Sequence, residues 1–324
     1  MTNAAVRTNS PRAWLLAARP KTLTGAVAPV VMALVAAWTD AAMYAGGTAL
    51  NFGWMPAVLC MAFALLMQVD ANLINDYFDF VRGRDDAATR LGPERACTQG
   101  WITPRAMARG IAVVTVVAAL TGLPLVLWGG LEMLLVGALC LVFCFLYTTT
   151  LAQRGLGDVL VLVFFGLVPV CATYYIQLHA LTPQVVALAV GMGLATDCLL
   201  IVNNYRDREQ DAAVGKRTLV TVIGQSATEI LYLALGVAAV ALPLLVTSFC
   251  ADLPSASVSS GSLPAYCPAW PAFMPLLYLI PHVFVWRQMV TIRAGRALNA
   301  VLGRTAACIL LYALLQSLAV LLSH

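Results

Sequence analysis

Nine apolar stretches dominate this chain, near residues 22–42, 52–78, 107–128, 131–149, 158–179, 184–206, 227–250, 271–290 and 302–323. Each is long enough to cross a hydrocarbon core, which takes about 20 mostly apolar residues in a helix. Lipid offers backbone amides and carbonyls no partner, and the helix satisfies them within a single segment. The expected fold is therefore all-α, a polytopic membrane protein with nine transmembrane helices. Composition agrees: 61% hydrophobic and 10% charged residues, with mean hydropathy +0.86, exceed what a soluble core of this length requires.

Basic residues accumulate in cytoplasmic loops, and here the partition is complete. Arg7, Arg12, Arg19 and Lys21 precede the first span, six arginines from Arg82 to Arg109 follow the second, and Arg154 follows the fourth. Arg206, Arg208, Lys216 and Arg217 follow the sixth, and Arg287, Arg293, Arg296 and Arg304 lie between the eighth and ninth, which accounts for all 19. The chain is thus expected in the cytoplasmic (inner) membrane with a cytoplasmic amino terminus and an external carboxyl terminus. The net charge of +4 follows from this topology, dispersed among loops with nothing directed at nucleic acid. Residues 1–12 are polar, lack a signal-peptide pattern and are expected to be disordered, leaving 13–324 as one domain.

Two spans end in the same acidic pattern. Asn75-Asp76-Tyr77-Phe78-Asp79 and Asn203-Asn204-Tyr205-Arg206-Asp207 align as N-x-Y-x-D. Asn72, Asn75, Asp76 and Asp79 recur every three or four residues, as do Asn203, Asn204, Asp207 and Asp211, so each set shares a helix face. Four spans separate the copies, and an even number preserves direction, so the halves read as two parallel four-helix pseudo-repeats around a central cavity. Both clusters sit at helix carboxyl ends, where the dipole is already negative and a cation is needed. Mg²⁺ prefers oxygen ligands and often bridges a few carboxylates to substrate phosphates. Basic groups that pair with a diphosphate stand close by: Arg90 and Arg95 after the first motif, and Arg206 and Lys216 in or after the second. A diphosphate ester handled within a membrane is expected to be a lipid. The competing class, a divalent-cation transporter, needs its ion site near the midplane, whereas these motifs lie at cytoplasmic span ends.

These residues resemble the UbiA-type intramembrane aromatic prenyltransferases, marked by Asp-rich motifs on the second and sixth spans. The resemblance covers nearly the whole chain. It is greatest to the branch that prenylates 1,4-dihydroxy-2-naphthoate in menaquinone synthesis, through Arg19-Pro20-Lys21-Thr22-Leu23, Asn72-x-x-Asn75-Asp76-Tyr77-x-Asp79, Gly155-Leu156-Gly157-Asp158, Thr173-Tyr174-Tyr175 and Gly215-Lys216-x-Thr218-Leu219. It implies Mg²⁺-dependent transfer of a polyprenyl group from polyprenyl diphosphate to an aromatic acid, with loss of diphosphate and CO₂. It further implies metal ligation by Asn72, Asn75, Asp76, Asp79, Asp207 and Asp211, with Asp76, Asp79, Asp207 and Asp211 catalytic. The family's first motif carries a later Asp, and that role is assigned to Asp85, with Asp86 beside it.

The remaining candidates belong to the acceptor and cation pocket. Lys21 stands where the first span begins, to bind the acceptor carboxylate or the diphosphate; Asp158 starts the fifth span, where it also suits a helix cap. Tyr147 and Tyr174 are expected to face the allylic cation. Asp197, Asn204 and Asp211 recur at sevens, which places Asp197 over the same cavity as a proton acceptor, whereas Asp70 points away from Asp79 and reads as a packing acid. Cys250 and Cys267 bracket an external loop and suit a disulfide; His179, His282 and His324 are given no catalytic role. Prenyl chain length depends on the volume of a tunnel that periodicity does not draw.

Overall fold

A computed structural model of the protein describes residues 6–44, 52–83, 90–251 and 270–323. Among these, every regular element is helical, apart from an isolated bridge between Arg154 and Arg217. Asp85, Asp86 and Cys267 lie outside the described residues, and with Cys267 the expected disulfide.

Helix α1 (Pro11–Ala18) starts where the Ser10 hydroxyl accepts from the amide of Ala13 and proline takes the first turn. It ends at Arg19, whose left-handed backbone (φ 51°) turns the chain through a 3-10 turn, Pro20–Thr22, into the first span, α2 (Thr24–Tyr44). The segment just before α1 is tied to the loop that precedes Pro104. Thr8 donates to the carbonyl of Gly100, and Asn9 bonds both the carbonyl of Trp101 and the amide of Thr103.

The next spans are α3 (Trp54–Val81), α4 (Pro104–Gly122) continued by α5 (Val126–Gly129), and α6 (Glu132–Leu146) extended by a π-helical turn, Tyr147–Leu151. They are followed by α7 (Gly157–Leu162) and α8 (Thr173–Leu178), joined by a π-helical segment, Val163–Ala172, and by α9 (Pro183–Ala213). After the short α10 (Leu219–Ile223) come α11 (Gln225–Ala251), α12 (Leu279–Ile292) and α13 (Leu298–Leu322). Among the described residues eight helices are long and apolar enough to cross a membrane. The expected stretch 271–290 is the exception: Pro271 and Pro275 hold Trp270–Tyr278 in a 3-10 helix, and α12, at 14 residues, spans only about 21 Å.

With 28 and 31 residues, α3 and α9 reach about 42 and 46 Å, well beyond a hydrocarbon core of about 30 Å. That length leaves turns to spare beyond the apolar layer, where carboxylates cost least. Helix α9 is the most buried span and forms the axis of the bundle, packed by α11, α13, α7 and the π-helical segment. Small residues permit this closeness. A Cβ on Gly166 would stand 2.5 Å from the carbonyl oxygen of Ala189 and 2.7 Å from the Cα of Gly193, so the two backbones meet through glycines. Other polar groups serve packing: Asp70 accepts from Thr115 at 2.7 Å, tying α3 to α4, and His282 is buried between the rings of Tyr232 and Tyr278.

Candidate active site

A cavity of about 1330 Å³ runs between the spans, polar at the ends of α3 and α9 and apolar beyond them. Asn75, Asp79, Arg90, Arg95, Asn204, Arg206, Asp207, Asp211 and Lys216 line it, as do Lys21, Tyr147 and Asp158. The carboxyl ends of the two motif helices therefore share one chamber. Asn72, Asp76, Tyr174 and Asp197 do not line it.

In the first motif the helix face divides into two rows of i and i+4 neighbours. Asn75 and Asp79 face the cavity; Asn72 and Asp76 look the other way. Asn72 donates to the carbonyl of Ala18 and the hydroxyl of Thr22, both at 2.9 Å, and so fastens α3 to the turn that follows α1. Asp76, fully buried, accepts from the amides of Ala96 and Cys97 at 2.7 and 2.9 Å. Both its oxygens are thereby spent on the loop after α3, and that anchoring sets Arg95 beside Asp79. The Arg95 guanidinium bonds the carbonyl of Asn75 and pairs with the Asp79 carboxylate at 2.6 Å. Burial and the negative Asp76 push the Cys97 thiol up to about 12, so it stays protonated at neutral pH.

The second motif is organised by Arg206, a buried guanidinium whose side chain is 1% exposed. It donates to both carboxylate oxygens of Asp207 at 2.7 and 2.6 Å, to Asn203 at 2.9 Å and to Asn299 of α13 at 2.8 Å. These bonds engage Nε, Nη1 and Nη2 within the protein, so Arg206 orients Asp207. Beyond α9, Gly215 adopts φ 69°, a conformation other residues take only under strain, and the chain doubles back so that Lys216 meets Asp211 at 3.0 Å. Asn299 also donates to the carbonyl of Leu91 at 2.8 Å, linking the last span to the loop after the first motif.

Behind the polar mouth stand Asp158 and Tyr147, with Tyr147 in electrostatic reach of Asp158, Asp197 and Asp79. Each of the two deeper acids has one buried oxygen with no hydrogen-bond partner. Asp197 sits just behind the wall, next to the cavity-lining Thr196, because a seven-residue repeat drifts by about 20° per heptad on a straight helix. Two heptads from Asp211, the stripe has turned away. Tyr174 also departs from expectation: it is buried and donates to Asp40, while its neighbour Thr173 lines the cavity. That expectation rested on the resemblance and on the chemistry of the ring, neither of which fixes the way the side chain turns. Sequence reasoning missed Asn299, Gln210 and the left-handed Arg19 as lining residues. Only a polar residue at a span end signals the first.

Among the described residues no three His, Cys, Asp or Glu side chains converge to hold a metal. The donors that face the cavity are oxygens in small groups, Asn75 with Asp79 and Asn203 with Asp207 and Asp211. That set suits Mg²⁺, which is commonly held by one or two carboxylates together with substrate phosphates and water.

The profile of the UbiA prenyltransferase family matches residues 30–288. This chain belongs to the UbiA prenyltransferase family. It is 36% identical to the 1,4-dihydroxy-2-naphthoate octaprenyltransferase of Mycobacterium leprae (strain TN) over 74% of this chain and 79% of that one. The enzyme of the same name from Escherichia coli (strain K12) is 35% identical over 66% of this chain and 69% of its own. In fold the chain is similar to a UbiA homologue from Aeropyrum pernix K1, with TM-score 0.63, 15% identity and coverage of 93% and 96%. Membership of the UbiA family makes this protein a membrane prenyltransferase.

Proposed function

We propose that the enzyme transfers a polyprenyl group from polyprenyl diphosphate to 1,4-dihydroxy-2-naphthoate, releasing diphosphate and CO₂ and giving demethylmenaquinol. The observation that carries this reading is the meeting of Asp79, Asp207 and Asp211, with their basic partners, at the polar mouth of one largely apolar cavity. The names of the relatives at 35–36% identity support the acceptor.

Asn75, Asp79, Asp207 and Asp211 would hold Mg²⁺, which supplies positive charge for the diphosphate as its bond to carbon breaks. Arg90 and Lys216 lie in the same mouth and pair with phosphate oxygens. Arg95 and Arg206 set the carboxylates of Asp79 and Asp207, while Asn72 and Asp76 act behind them, holding the loop and turn in place. Phe143 and Phe164 pack as tilted rings with centroids 5.3 Å apart on the cavity wall, and with Tyr147 they offer faces to the allylic cation and keep water from it. Lys21 and Arg19 at the rim suit the acceptor carboxylate. Asp158 takes the proton of a ring hydroxyl. Ring attack at the carboxylated carbon is followed by loss of CO₂, whose bonding pair restores aromaticity, and Asp158 returns the proton to the ring oxygen.

The chain would lie in the cytoplasmic membrane with nine spans, counting the interrupted segment 270–292, arranged as two parallel four-helix repeats with the mouth facing the cytoplasm. The partition of basic residues supports this orientation. The test is incubation of the purified protein in lipid with Mg²⁺, labelled polyprenyl diphosphate and each aromatic acid, scoring prenylated product and CO₂. Preference for 4-hydroxybenzoate, or label retained on the donor with every acceptor, would overturn the assignment.

A further inference from the structure

Along α6 the side chains divide between two environments. Met133, Gly137, Cys140, Cys144 and Tyr147 line the cavity, while Leu134, Leu135, Leu139, Val142 and Leu146 are exposed on the outer face. The spacing of three and four places the first set on one stripe, so α6 is a wall with cavity on one side and lipid on the other. The polar mouth lies at the Tyr147 end. Towards the other end Val30, Cys60, Leu125 and Ile176 pack together with Met133 and line the tunnel.

Gly137 sits between these limits, and a Cβ built on it meets no atom within 4 Å. Its missing side chain therefore leaves room in the tunnel and none in the packing. Other lining glycines have neighbours: a Cβ on Gly25 comes into ordinary contact with Phe165 at 3.7 Å, and one on Gly122 is crowded by Phe63 at 3.0 Å. Gly303 is open too, but it lies one turn from Asn299 at the mouth, where every donor must pass. Gly137 is ten residues from Tyr147, or about 15 Å along the axis. Bond lengths near 1.5 Å make an extended isoprene unit of four bonds about 4 to 5 Å long. Roughly three units then fill the tunnel from Tyr147 to Gly137, and a fourth must run past it.

We propose that Gly137 sets the donor chain length, its bare backbone being the passage through which prenyl chains longer than about three units reach the far end of the tunnel. This rests on the prenyl-transfer reading above and specifies the donor class for it. The experiment uses the full-length protein in lipid with Mg²⁺ and the naphthoate acceptor. Wild type, Gly137→Ala, Gly137→Leu and Gly137→Phe are compared with geranyl, farnesyl, geranylgeranyl and octaprenyl diphosphates. In the Phe variant kcat/KM for the octaprenyl donor is expected to fall about tenfold or more relative to that for the geranyl donor, with Ala and Leu graded between. Geranyl transfer, whose chain stops short of residue 137, reports in each variant that the protein is folded. A long-to-short ratio that stays within twofold of wild type, or an equal loss for all four donors across the series, overturns the proposal. Wild-type protein that transfers none of the donors would instead overturn the reaction itself.

Discussion

Asp76 and Asp79 stand three residues apart on one helix and differ entirely in what their oxygens meet. Asp79 faces the cavity and a guanidinium, so Asp79→Asn should raise the Mg²⁺ concentration for half-maximal activity about tenfold or more. Asp76 faces two backbone amides in a buried site, and Asp76→Asn should leave that concentration within about threefold while costing about 2 kcal/mol of stability. Mg²⁺ titrations of the two variants, with thermal midpoints in detergent, check the contrast; a reversed pattern would return Asp76 to the metal. Cys97 gives an independent readout of the same loop. With its thiol pushed up to about 12, it should resist maleimide at pH 8 in the native protein and label once Asp76→Ala frees the loop. The acid types and their spacing were legible in the sequence, because a period of 3.6 groups Asn72, Asn75, Asp76 and Asp79. Their division into two rows was not, since it depends on a loop twenty residues further along the chain.

Helices raise a different question, how closely their backbones approach. A side chain on Gly193 would meet the carbonyl oxygen of Leu162 at 2.9 Å and its Cα at 3.0 Å. Gly193→Val should therefore push α9 off α7 and the π-helical segment, lowering stability by about 1 to 3 kcal/mol, read as a drop in thermal midpoint with donor and acceptor KM values unchanged in the surviving fraction. Helix α13 makes the opposite kind of link. Its Asn299 joins Arg206 on α9 to the carbonyl of Leu91, yet it lies beyond the residues matched to the family. In Asn299→Leu, Arg206 loses an acceptor and the loop a donor, so KM for the diphosphate donor should rise about tenfold while KM for the aromatic acid stays put. The spans themselves could be read from their apolar length, except near Pro271 and Pro275, where the ring nitrogen breaks the α-helical ladder that hydropathy alone assumes. The π-helical turns at 147–151 and 163–172 left no comparable trace.

For the molecule as a whole, the prediction is one of sidedness. Impermeant thiol reagents applied to single-cysteine variants should label the 82–109 and 206–217 loops only from the cytoplasmic side, and a reporter fused after residue 323 only from the outside. Removal of divalent metal by EDTA should abolish turnover and Mg²⁺ should restore it, because no three acids among the described residues converge to hold a metal without help from phosphate. Apolar length and the placement of arginine and lysine are properties of the chain taken in order, since lipid exerts its demands one segment at a time. The sequence alone therefore determined a helical membrane protein, and it set the expected orientation and the residue types proposed to meet a diphosphate. Which carboxylates face the cavity, which hold a loop, and how far a prenyl chain can run past Gly137 depend on contacts between segments far apart in the chain. Only the packed bundle decided those, because a side chain's partner is set by the neighbouring helix and not by its own periodicity.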